Sequence, residues 1–221
     1  MQRSGTTWLT RWLEERPDVF AVHESYLIQS GIDMLEHLPR GGRLVSKAHL
    51  RAFLDDVYGS AAGERACVVD KSPGALIHRD VSVVDTIFDL FPDAHVIGSY
   101  RDGKNFVYGH LHLPWTSRVG WDVEKATNFW IEQIQLLRRL PHHPQTMVVR
   151  YEDLMTRPER SREIAAFLGL SAHGDIQPWA RPVNTIHQEP DLERWKTLDR
   201  DSLSVMKRMN PYLLECGYEP V

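Results

Sequence analysis

The chain has only two cysteines, Cys67 and Cys216, among 221 residues, which excludes a disulfide framework and leaves room for one bridge at most. It has no run of about 18 apolar residues, so no segment is built to cross a bilayer as a helix. No charged leader followed by an apolar stretch opens it, so no signal peptide is read and the cytoplasm is the expected location. Basic charge is not in excess either. Lys and Arg number 26 against 30 Asp and Glu, a net charge of −4, which excludes a general nucleic-acid binder and confines any anion site to a local basic pocket. No G-x-x-x-x-G-K-[ST] occurs, so a Walker phosphate loop is excluded. Repeats, linkers and low-complexity tracts are absent. Histidine is plentiful at 11, yet His110-x-His112 and His142-His143 have no companion ligands at metal spacing, and no metal is expected.

What is present is the composition of a soluble globular protein, 42% hydrophobic and 25% charged, and a single domain over residues 1–221 is expected. Trp8, Leu9, Trp12 and Leu13 recur at helical spacing until Arg16-Pro17 stops the run. Asp18 to Val22 is a short apolar run ending in His23-Glu24. Apolar periodicity predicts helices over 27–38, 44–58, 81–91 and 123–140. Thr156-x-x-Glu159 is a capping-box pattern opening a helix that stops near Gly169, and a last helix starts near Asp201, with Pro211 expected to kink it. Ala66 to Val69, Ala94 to Ser99 and Thr146 to Arg150 read as buried parallel strands. The segment from His110 to Asp122, with Trp115 and Trp121, reads as a loop. Strands alternating with helices predict an α/β fold, a three-layer parallel sheet with helices on both faces.

In such a sheet, ligands bind outside the carboxyl ends of the strands. Those ends deliver Lys71, Arg101 and Tyr151, a set suited to an anionic nucleotide. The front of the chain, Arg3-Ser4-Gly5-Thr6-Thr7-Trp8-Leu9, describes a turn that becomes a helix. Ser4 and Gly5 suit a tight loop, and Thr6 or Thr7 can cap the helix start. A helix start offers unpaired N–H groups and the positive end of the dipole, which together bind phosphate or sulfate. Arg3 adds a forked cation and the threonines add donors.

These parts, in this order, resemble the sulfotransferases that use 3′-phosphoadenosine 5′-phosphosulfate (PAPS). Arg3 to Trp8 matches the 5′-phosphosulfate loop, and Arg in place of Lys at position 3 is closer to the tyrosylprotein and carbohydrate enzymes, bacterial-like in pattern, than to the cytosolic ones. Asp70-Lys71-Ser72-Pro73 resembles the Lys-[Ser/Thr/Asp]-Pro element. Phe91-Pro92-Asp93-Ala94 with Arg101-Asp102-Gly103-Lys104 resembles the 3′-phosphate segment. Tyr151-Glu152-Asp153-Leu154 and Phe167-Leu168-Gly169 match the Tyr-Glu-x-Leu strand end and its helix. Arg181-Pro182-Val183-Asn184 and Leu214 to Tyr218 are similar to the tyrosylprotein enzymes' C-terminal region. The sequence departs from the pattern twice. Only Met1 and Gln2 stand where relatives carry an apolar strand before the loop, so the expected sheet lacks its usual first strand or the chain is shortened there. Gly109 stands where the family has a Ser, eight residues after the Arg, that also holds the 3′-phosphate; Ser99, Tyr108 and His110 are candidates to replace it.

The resemblance implies transfer of a sulfuryl group from PAPS to a hydroxyl or amine, without metal. It implies that Arg3, Ser4, Gly5, Thr6, Thr7, Trp8, Arg101, Tyr151 and Arg181 bind the nucleotide and that Arg3 and Lys71 neutralise charge on the leaving group. For the base, Glu24 sits in a segment resembling that of the tyrosylprotein enzymes' catalytic Glu. His49, in Lys47-Ala48-His49-Leu50, is similar to the histidine base of the cytosolic enzymes. That element needs an extended segment, and the helical period over 44–58 favours Glu24. Alternative readings are a non-catalytic or truncated relative that binds 3′,5′-ADP-like nucleotides and, behind it, a nucleotide or small-molecule kinase.

Overall fold

The computed structural model describes residues 4–37, 46–72, 82–112, 120–140, 143–170 and 193–221. Arg3 and Arg181, along with Pro73, Trp115 and the segment 181–184, lie outside them. Helix α1 (Thr6–Glu14) buries Leu9 and Leu13, the apolar stripe its spacing announces, and ends at Glu15 ahead of Pro17. Strand β1 (Val19–His23) follows, then α2 (Leu27–His37) and α3 (Lys47–Ala62). Strand β2 (Cys67–Lys71) precedes α4 (Ser82–Leu90), and β3 (Val96–Tyr100) precedes α5 (Gly103–Leu111) and α6 (Val123–Leu137). Strand β4 (Thr146–Arg150) runs into α7 (Tyr151–Thr156) and α8 (Glu159–Phe167), and α9 (Arg200–Met206) and α10 (Asn210–Glu215) close the described chain.

Among the described residues the strands form two parallel pairs, β1 with β2 and β3 with β4. The registers put His23 beside Lys71 and Tyr100 beside Arg150, so both strands of each pair end together. One apolar cluster joins the pairs: Leu9 and Leu13 of α1 pack with Val19 of β1, Val149 of β4, Leu154 of α7 and Ile164 of α8, with Cys67, Val69, Ile97 and Met147 around them. A second cluster, built on Phe106, Trp130, Ile134 and Leu137, covers Val96, Tyr100 and Val148 from the side of α5 and α6. Trp130 is fully buried there, and truncating such a side chain costs about 3–5 kcal/mol. A third cluster packs Leu50 and Leu54 of α3 on Leu90 of α4. The helices thus lie on both faces of parallel strands.

Two elements arise where the sequence pattern announces none, and three local expectations are corrected. The run from Asp18 is a strand, which five residues of mixed apolar type do not announce. Helix α5 arises within a stretch that carries two glycines, Gly103 and Gly109, because Asp102 caps it by accepting from the Lys104 N–H at 2.8 Å. The Thr156-x-x-Glu159 capping box does not form. Pro158 occupies the N-cap of α8, and the Thr156 hydroxyl turns back to the Glu152 carbonyl of α7 at 2.8 Å. The final helix is not kinked but divided: α9 passes through a 3₁₀ turn, Lys207–Met209, into α10, whose first turn holds Pro211, where a missing N–H costs nothing. Neither Thr6 nor Thr7 caps α1; Gly5 does, in the left-handed conformation with φ 82°.

Candidate active site

The site is built where α1, β1 and β2 meet. Gly5 has φ 82°, which favours glycine, and a Cβ there would lie 2.3 Å from Cδ2 of Tyr151. The turn therefore presses on the Tyr151 ring as only glycine allows. Ser4 is fully buried and its Oγ donates to the Ser99 carbonyl at 3.0 Å, tying the turn to β3. The first bond of the α1 ladder is Leu9 N–H to Gly5 C=O at 2.9 Å, so the N–H groups of Thr6, Thr7 and Trp8 lie ahead of the ladder. Glycine has no side chain with which to cap them. A helix start of this kind is complementary to an anion.

Lys71, at the end of β2, connects that turn to Glu24. Its Nζ donates to Thr7 Oγ1 at 2.9 Å and to Glu24 Oε1 at 2.6 Å. The Lys71 side chain is 9% exposed and the Glu24 side chain 44%, so the cation is held within the structure while the carboxylate faces solvent. The ladder places them: His23 pairs with Lys71, and the Glu24 N–H donates to the Lys71 carbonyl at 3.0 Å. Immediately afterwards the chain turns with Glu24 at φ 60° and Tyr26 at φ 56°, conformations uncommon for residues with side chains and frequent at functional sites. Ser25, between them, holds the turn by accepting from the Leu27 N–H at 3.1 Å and donating to Asp70. Tyr58 of α3 also donates to Asp70. Burial, followed by its bond to Asp70, pushes the Tyr58 hydroxyl well above the ordinary tyrosine range, so it remains a donor. Successive strand residues face opposite ways, which sends Lys71 toward α1 and Asp70 toward α3.

Around the end of β3, the Arg101 guanidinium lies 5.0 Å from the Tyr151 ring centroid, so one ring separates the Gly5 turn from Arg101. The Arg101 carbonyl accepts from the Trp130 indole N–H at 3.0 Å, and the next N–H, of Asp102, donates to Glu152 at 3.1 Å. Burial raises the Asp102 pKa, against the opposing charge of Lys104, whose Nζ is 3.4 Å away.

Residues 1–174 match the family model described as "Sulfotransferase family". The chain belongs to the sulfotransferase family. A Drosophila melanogaster protein described as "Protein-tyrosine sulfotransferase" is 23% identical over 227 residues, covering 94% of this chain and 44% of the relative, so the chain spans less than half of that protein's length. Among solved structures, the sulfotransferase domain from the curacin biosynthetic pathway matches with a TM-score of 0.64 at 16% identity, over 100% of this chain and 96% of its own. The sulfotransferase domain of the Synechococcus PCC 7002 olefin synthase matches with 0.57 at 18%, over 94% and 90%. The sulfotransferase from Alicyclobacillus acidocaldarius gives 0.55 at 17%, over 94% and 92%. These likenesses establish the sulfotransferase fold.

The fold brings together Gly5, Thr7, Glu24, Lys71, Arg101 and Tyr151 of the expected residues. Trp8 is half-buried and packs with Trp12 against the cluster that joins the strand pairs. His49 is drawn elsewhere: it occupies the first turn of α3, exposed, in a reciprocal cap with Ser46 whose backbone bonds are 3.2 and 3.4 Å long. Gly109 lies in α5 with nothing within 4 Å of where a Cβ would stand. Of the residues expected to replace the family Ser, Ser99 is spent on Ser4, 2.8 Å between hydroxyl oxygens. His110 is buried, with Nδ1 at 3.0 Å from the Phe106 carbonyl and its ring 4.8 Å from Trp121. Tyr108 is half-buried and stacks on His112, ring centroids 4.0 Å apart. Sequence reasoning missed Ser25, Tyr58, Trp130 and the role of Asp70. For Asp70 a signal existed, because a residue beside Lys71 in a strand must face the other way.

Proposed function

We propose that the sulfotransferase moves a sulfuryl group from PAPS to a hydroxyl or amine acceptor. The observation that carries this reading is Lys71 Nζ, shared between Thr7 of the N-terminal turn and Glu24 at the end of β1. The residues present fit the donor. An uncapped helix start behind a glycine that a Cβ would jam against Tyr151 suits the 5′-phosphosulfate, and Arg101 suits the 3′-phosphate. PAPS supplies the sulfuryl group and an adenosine 3′,5′-bisphosphate leaving group. The chain's part is to bind, orient and manage charge and proton. The N–H groups of Thr6 and Thr7 cradle the anion, with Trp8 and, by resemblance, Arg3 and Arg181 around it, while Ser4, buried against Ser99, holds the turn. Lys71 and Arg3 offset charge developing on the leaving oxygen. Glu24, solvent-facing beside Lys71, takes the proton from the acceptor.

Among the described residues no helix is long and apolar enough to cross a membrane. Two measurements test the reading. In calorimetry 3′,5′-ADP binds and ATP with magnesium does not; binding of ATP with magnesium alone would favour a kinase and overturn it. Labelled PAPS, offered with phenols, sugars, peptides and lipids, transfers label to at least one class. Tight 3′,5′-ADP binding with no transfer to any of them would leave a nucleotide-binding relative that is not an enzyme.

A further inference from the structure

We propose that Glu152 and Tyr218 are positioning residues through which the C-terminal segment sets the affinity for the nucleotide's 3′-phosphate; this rests on Arg101 contacting that phosphate. The starting point is one peptide group. Both polar atoms of the peptide between Arg101 and Asp102 are held by side chains: its C=O accepts from Trp130 Nε1 at 3.0 Å and its N–H donates to Glu152 Oε1 at 3.1 Å. With both ends tied, the peptide plane cannot turn, and the direction in which Arg101 leaves the strand end is set by α6 on one side and α7 on the other. The Trp130 anchor is fully buried. The Glu152 anchor is only as firm as whatever holds Glu152.

What holds it is the end of the chain. Glu152 Oε2 accepts from the Tyr218 hydroxyl at 2.6 Å, and Arg150 Nε lies 3.6 Å from the same oxygen. Tyr218 is 6% exposed, with the Arg150 guanidinium 4.0 Å from its ring centroid and Tyr100 of β3 meeting it edge-on at 6.2 Å. Burial, then the charge of Glu152, pushes its hydroxyl far above the ordinary range, so it stays protonated and donating. The backbone aims the side chain: Gly217, at φ 74°, turns the chain after α10 and lets the Tyr218 N–H reach the Leu213 carbonyl at 2.9 Å. The next residue makes a second tie. Lys104, 3% exposed, donates from Nζ to the Glu219 carbonyl. The C-terminal segment therefore grips the Arg101 loop from both flanks, through Glu152 on α7 and Lys104 on α5.

The test is calorimetry with 3′,5′-ADP and 5′-AMP on the full chain. Tyr218→Phe keeps the ring and removes the hydroxyl. It should weaken 3′,5′-ADP about tenfold, the scale of outer-shell partners elsewhere, and leave 5′-AMP unchanged. Glu152→Ala should do at least as much, whereas Glu152→Gln, which still accepts from the Asp102 N–H and turns its amide toward Tyr218, should keep most of the affinity. On an Arg101→Ala background, Tyr218→Phe should add nothing. Equal losses for the two nucleotides in Tyr218→Phe, no loss at all, or a full additional loss on the Arg101→Ala background would each overturn the proposal. Equal losses in Arg101→Ala itself would instead remove Arg101 from the 3′-phosphate, and a selective Arg101→Ala beside a silent Tyr218→Phe would sink only the positioning pair.

Discussion

Replacing Gly109 by Ser should strengthen nucleotide binding and the fold together. Position 109 is inside α5, outside the left-handed region, and a Cβ there meets nothing within 4 Å, so the new side chain enters open space. Glycine in a helix interior costs about 1 kcal/mol relative to alanine and serine about half as much, so the helix gains roughly 0.5 kcal/mol. The hydroxyl stands eight residues after Arg101, the family's spacing for a second 3′-phosphate donor. A hydrogen bond to a charged group contributes about 1.5–3 kcal/mol, which converts to roughly 10- to 150-fold tighter binding. Calorimetry should therefore show a lower Kd for 3′,5′-ADP and an unaltered Kd for 5′-AMP, with a melting temperature no lower than that of the parent. Gly109→Ala supplies the control, since it gains the helix increment without a donor. If Gly109→Ser binds no tighter, if both nucleotides gain alike, or if the Ala variant matches it, position 109 does not face the 3′-phosphate.

Gly5→Ala should lower stability by about 1–3 kcal/mol for the left-handed backbone and a similar amount for overpacking against Tyr151; a thermal melt within a degree of the parent would contradict the close approach at 2.3 Å. Glu24→Gln should lower turnover about a hundredfold or more with 3′,5′-ADP affinity retained, while His49→Ala, in the exposed first turn of α3, should be mild; the opposite pattern, or a rate that falls as pH drops through about 6.5, would move the base to a histidine. Asp102→Asn should keep the α5 cap, whereas Asp102→Ala should cost about 1 kcal/mol, read in denaturant melts. Because burial raises the Asp102 pKa, the folded state holds that proton more tightly than the unfolded one. Its stabilising share is full at low pH and is lost as pH rises through the raised value, so Asp102→Asn should gain on the parent with rising pH; a constant difference would refute this.

The strand ends were legible because a buried parallel strand is a short apolar run, and its carboxyl end must lie at the ligand edge of the sheet. Lys71, Arg101 and Tyr151 were placed by that rule, although β2 runs two residues past the expected Val69 and Lys71 proves to be its last residue. Glu24 was reached through resemblance, and nothing in its local sequence announced φ 60°. The bonds that hold these residues were not legible. Tyr58 and Ser25 reach Asp70 across 12 and 45 positions, and Tyr218 reaches Glu152 across 66, so no local period can report them. Helix α5 was hidden by glycines that lower propensity without preventing a well-capped helix. The Thr156 box misled because a motif names donors and acceptors but not the proline that takes the cap. The split into two strand pairs was likewise beyond local pattern, since it concerns what lies between strands.

Ser4 is tied to Ser99 across 95 positions and Lys104 to Glu219 across 115, so the middle of the chain is stitched to both of its far ends. A ribosome that has delivered β3 and β4 has made the Arg101 loop without yet making its grip. Contacts of such long sequence separation carry a loop-closure cost in entropy that the apolar clusters offset. On the proposed reading the Arg101 site is complete only when the turn at 217–219 has docked, so tight binding of 3′,5′-ADP would report that this turn is in place.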